Sequence, residues 1–62
     1  MKHFLVKQVG RRAWVHSLHP TVEDALKHCL VSTRAHEGTD TSWWVLSTAK
    51  QISVSQDVEA RE

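Results

Sequence analysis

The chain is 62 residues long, 40% of them hydrophobic and 24% charged, with a net charge of +1. That length admits one domain and leaves no room for a dinucleotide fold, a barrel or a cleft between two domains. The composition is that of a folded domain, and a single cysteine, Cys29, excludes both an internal disulfide and a zinc cage built of thiolates.

The first predicted element is a hairpin. Lys2–Val9 and Arg12–Leu18 both alternate as strands do, and Gly10-Arg11 between them suits a two-residue type II′ turn, which takes glycine first. That turn pairs Val9 with Arg12, Lys7 with Trp14, Val6 with Val15, Leu5 with His16 and Phe4 with Ser17. One face then collects Phe4, Val6, Ala13 and Val15. The other collects His3, Leu5, Lys7, Val9, Arg12, Trp14, His16 and Leu18. The first face is the cleaner apolar one and is expected to lie under a helix.

That helix is predicted from Thr21 to about Glu37. Val22, Ala25, Leu26, Cys29 and Leu30 recur at the spacing of one helical stripe. Thr21 is the expected N-cap, with Asp24 as its capping-box partner, and Pro20 keeps the preceding residue extended. Glu23 and Asp24 suit the positive end of the helix dipole, and Gly38 suits the C′ position.

A loop at Gly38-Thr39-Asp40-Thr41 leads to a strand over Ser42–Thr48, and a weaker fourth strand is expected over Ile52–Ser55. The fold class is therefore α+β: a β-β-α-β-β domain with one helix on an antiparallel sheet, strand order 2-1-3-4. Residues 1–56 make the domain, and residues 57–62 form an acidic tail expected to fray.

This plan does not close on itself. Strands 1 and 3 carry apolar residues on both faces, but there is one helix. Trp43 and Trp44 are neighbours in a strand and point to opposite sides, so they cannot both lie under it. An open face holding Leu5, Trp14 and one of Trp43 and Trp44 reads as a partner or dimer interface. The plainer account is that the C-terminal segment folds over it.

Charge is uneven along the chain. Residues 1–34 carry six cations against Glu23 and Asp24, whereas residues 35–62 carry Lys50 and Arg61 against five carboxylates. Lys7, Arg11, Arg12 and His16 surround Trp14, the ingredients of a surface that holds single-stranded nucleic acid. The five histidines, His3, His16, His19, His28 and His36, show no HxH or HExxH spacing. They read as solvated surface residues, with Asp24 and His28 forming at most a helical hydrogen bond. No metal, cofactor or small-molecule substrate is expected. Cys29 sits mid-stripe as an inert thiol, and no catalytic constellation stands out.

Only Phe4-Leu5-Val6 separates the N-terminal residues from Lys7, which is too short for a leader, and no run approaches the roughly 18 apolar residues of a membrane span. The expectation is a complete, cytoplasmic, non-enzymatic protein that binds a protein partner or a second copy of itself, with nucleic acid as the alternative ligand.

Overall fold

The computed structural model describes residues 1–58. The elements are β1 (Lys2–Val9), β2 (Arg12–His19), α1 (Val22–Ala35), β3 (Thr41–Thr48) and β4 (Asp57–Val58). The strands form one antiparallel sheet in the order β3-β1-β2-β4, with α1 packed across it. β2 and β3 both run against β1, so α1 is the crossover between two parallel strands.

The hairpin forms as the turn residues require. Gly10 has φ +60°, a conformation that L side chains rarely adopt, and Val9 faces Arg12 across the turn. The expected register holds from there to Val6–Val15. It then slips by one, so that Leu5 faces Ser17, Phe4 faces Leu18 and His3 faces His19. His16 is the extra residue of a β-bulge. Beyond the bulge every β2 side chain changes face. Leu18 moves to the side of Phe4, and His19 moves to the side of Leu5.

The helix packs on the face opposite to the expected one. The ring of His36, the C-cap of α1, lies beside Trp43, whose β1 partner is Lys7. Asp24 and His28 meet His19, which faces His3. These contacts place α1 over His3, Leu5, Lys7, Trp43 and Val45, and Leu5 is buried beneath it. The opposite face holds Phe4, Val6, Ala13 and Val15, all buried, with Leu18 at its end 45% exposed. The expected order 2-1-3-4 put the fourth strand beside β3, but β4 pairs with β2, so after β3 the chain must pass from one edge of the sheet to the other. Residues 49–56 make that passage and are the described segment left to cover Phe4, Val6 and Val15. We call them the strap.

The strap replaces the expected fourth strand over Ile52–Ser55. Its attachment is to the outer edge of β2. Ser55 N–H donates to the Val15 carbonyl, and Val15 N–H donates to the Gln56 carbonyl at 3.0 Å. Asp57 and Val58, expected to begin a frayed tail, pair with Trp14 and Ala13. The rest of that tail, residues 59–62, lies outside the described residues.

Thr21 caps α1 as expected, its Oγ1 accepting the Asp24 N–H at 3.1 Å. Asp24 does not return the favour to Thr21. Its carboxylate turns to His19 instead. That tie sets the roll of the helix. The line facing the sheet is Ala25, Cys29, Ser32 and His36, and Ala25 alone in α1 is fully buried. The heavier stripe expected to face the sheet is turned aside, leaving Val22 40%, Leu26 53% and Leu30 55% exposed. The helix ends at His36, and Gly38, at φ +83°, carries the reversal two residues beyond it.

Ser55 is the one non-glycine residue with positive φ, +69°, among the described residues. It sits at the third position of the turn closed by Gln56 N–H to the Ser53 carbonyl, a position that favours glycine. Ser55→Gly relieves the left-handed cost of a Cβ, offset in part by a more flexible unfolded chain, and should raise stability by roughly 0.5–1 kcal/mol in urea unfolding.

Candidate functional site

The residues expected to form an open aromatic face are distributed over a closed structure. Leu5 is 2% exposed and lies under α1, so it is not part of a surface. Trp14 and Trp43 share its face and are half-buried. Trp44 lies on the other face, opposite Val6, and is half-buried as well. The two sheet faces are therefore covered by two different segments, and the surplus of apolar surface appears elsewhere.

It appears on the helix flank. Asp24 and His28 face β2 through His19, and Ala25, Cys29, Ser32 and His36 face the sheet. At 100° per residue, Val22, Leu26 and Leu30 then project on the remaining side, above the outer edge of β3. β3 is an edge strand. All eight of its residues pair with β1, and among the described residues its other side meets no strand. Its sequence, TSWWVLST, contains no charge and no proline.

The basic-aromatic residues do converge. Lys7 Nζ lies 5.8 Å from the Trp14 ring centre and 5.4 Å from that of Trp43, so one ammonium serves two indoles. His16 meets Trp43 edge-on at 5.1 Å, a contact the bulge permits by keeping His16 on that face. His36 approaches the same indole at 5.4 Å. Arg12 reaches Asp57 at 3.5 Å in an exposed ion pair of little energetic weight. Arg11 is exposed at the hairpin tip.

A second cluster was not expected. His19 is 8% exposed, and both its ring nitrogens are engaged. Nδ1 lies 2.6 Å from Asp24 Oδ2, which as a carboxylate can only accept, and Nε2 lies 2.7 Å from Ser17 Oγ. His28 Nδ1 donates to the Asp24 carbonyl at 2.9 Å and lies 3.6 Å from Asp24 Oδ2. The two imidazoles stack with centres 4.6 Å apart. The Asp24–His28 spacing is visible in the sequence. The arrival of His19 is not, because it depends on the bulge, and no glycine marks the bulge.

The order Ser17–His19–Asp24 is that of a nucleophile relay, but acyl transfer also needs a cleft and an oxyanion site. The open cleft beside His19, about 380 Å³, is lined by Met1, Lys2, Leu18, His19 and Pro20 and does not reach Ser17. Among the described residues the cluster reads as a polar brace between β2 and the first turn of α1.

No protein-family model, curated protein or solved structure matches this chain. No described helix is long and apolar enough to cross a membrane.

Asp24→Ala leaves the buried His19 Nδ1–H without its acceptor and should cost about 1–3 kcal/mol in urea unfolding. Glu23→Ala, one residue away in the same turn but exposed, should cost under about 0.5 kcal/mol, which separates the brace from the helix dipole.

Proposed function

We propose that this chain is a small cytoplasmic, non-enzymatic interaction protein that associates with a second copy of itself along the β3 edge and the adjoining flank of α1. The observation that carries the reading is the exposed row of Val22, Leu26 and Leu30 above an uncharged edge strand whose outer side meets no strand among the described residues. Edge strands are normally blunted by lysine, proline or short length, because their free N–H and C=O groups invite pairing. β3 has none of these protections over its eight residues.

An antiparallel edge is self-complementary. Two copies related by a two-fold axis can pair β3 with β3, continuing the sheet, and the same rotation brings the two helix flanks together. Such an interface is isologous, needs no other molecule, and buries leucines that the small monomer leaves in water. Trp43 and Trp44 lie on the strand at its centre, so both tryptophans retain a place at the interface through their backbone. The single free thiol, Cys29, suits a reducing compartment.

The reading is tested by sedimentation velocity from 1 to 200 μM, for which roughly micromolar dissociation is expected. Leu26→Glu with Leu30→Glu places two charges in the interface and should give a monomer with unchanged circular dichroism. A wild-type chain that stays monomeric throughout refutes the proposal.

Nucleic-acid binding is the second reading, supported by the convergence of Lys7, Trp14, His16 and Trp43 beside Arg11 and Arg12. Lys7 already occupies ring faces that a base would need, which weakens it. Tryptophan fluorescence titrated with a mixed single-stranded oligonucleotide should show no salt-dependent quenching. Quenching that disappears between 50 and 200 mM salt would favour this reading over self-association.

A further inference from the structure

We propose that His19, Asp24 and His28 form a binding site for a divalent transition metal of zinc's class. Their ligand atoms lie within 4.8 Å of one another. Both histidine Nδ1 atoms lie near one oxygen, Asp24 Oδ2, at 2.6 and 3.6 Å, and His28 Nδ1 also donates to the Asp24 carbonyl at 2.9 Å. Two nitrogens and one carboxylate oxygen are the donor set of three-ligand zinc sites, which complete their coordination with water or substrate. Nitrogen-rich sets of this kind also take cobalt, nickel and copper, and discriminate against calcium and magnesium, which prefer oxygen.

Three features prepare the site. First, the outer partner is in place. A metal-bound imidazole holds its second nitrogen in a hydrogen bond, and Ser17 Oγ stands 2.7 Å from His19 Nε2. Metal binding at Nδ1 therefore shifts the neutral imidazole to its other tautomer. The proton leaves Nδ1 and resides on Nε2, where it is donated to Ser17 Oγ, and no net charge is lost from the ring. Second, the ligands sit on regular elements. His19 ends β2, and Asp24 and His28 lie one turn apart on α1. Ligands at i and i+4 on a helix share a face. Third, the burial is graded. His19 is 8% exposed, and the side chains of Asp24 and His28 are 38% and 53% exposed, so the fourth coordination position opens to solvent.

Tetrahedral coordination separates ligand atoms by about 3.4 Å, given metal–ligand bonds near 2.1 Å. The His28–Asp24 separation already suits this, and His28 Nδ1 takes the ion by giving up its hydrogen bond to the Asp24 carbonyl, its proton moving to Nε2. The His19–Asp24 hydrogen bond must open by somewhat under an ångström, which a rotation of the carboxylate provides.

The site is tested on the whole chain with zinc and cobalt salts. Saturating zinc should raise the melting temperature by on the order of 5 °C, and cobalt should produce visible ligand-field absorption that zinc abolishes. Calcium and magnesium should do neither. His28→Ala changes an exposed helical side chain to the best helix former, so it should fold and lose both effects. Ser17→Ala should keep the site but weaken it by about 10–100-fold. Cys29→Ser should leave the cobalt spectrum unchanged. Absence of any zinc or cobalt response in the wild type overturns the proposal. So does a response retained in His28→Ala, which would put the ion on His3, His16 or His36, or one lost in Cys29→Ser.

Discussion

Phe4, Leu5 and Val6 are three consecutive residues of one central strand, and all three are buried. Successive side chains of a strand leave on opposite sides, so β1 requires cover on both faces. One helix supplies one cover. The strap, with little regular structure of its own, is the described segment left to supply the other. The position of β4 follows from this. A segment that starts at the β3 edge and crosses the Phe4 face emerges at β2, and there it pairs. Length limits the result less than economy permits it, because a stretch of irregular chain does the work of a second helix.

Much of this was legible in the residues. Gly10 marked the hairpin, Thr21 marked the helix start, and double-sided apolarity marked β1 as central; the same mark on β3 misled, because β4 pairs with β2 and leaves β3 at the edge. What escaped was the face on which the helix lies. Pattern favoured the Phe4–Val6 face as the cleaner one, and it weighed the heavy stripe Val22-Leu26-Leu30 as the buried one. Neither inference includes the polar contact that decides the matter. A one-residue bulge at His16 delivers His19 to the Leu5 face, and the hydrogen bond from His19 to Asp24 turns α1 so that small and polar side chains meet the sheet. Bulges without glycine leave no compositional trace, and periodicity assumes there are none. The strap escaped for a related reason. Ile52 to Ser55 resembles a strand because it alternates apolar and polar residues, but Ser53 to Gln56 form a turn against the edge of β2.

The same hydrogen bond separates the two proposed activities in space. Asp24 and His28 occupy the flank of α1 nearest β2, and Leu26 and Leu30 occupy the opposite flank above β3. An ion on one side leaves the other free, so self-association and metal binding are compatible on one short helix. They are also coupled, because both depend on the roll that His19 imposes. Loosening that anchor would let α1 rotate its leucines inward and withdraw the apolar row from the surface.

The strap has a consequence for how the molecule is made. It follows in the chain everything that it covers. As the polypeptide leaves the ribosome, the hairpin, the helix and β3 emerge with Phe4, Val6 and Val15 still in contact with water, and they stay so until residues 49–58 arrive. The order of synthesis thus makes the closing of that face the last step open to residues 1–58.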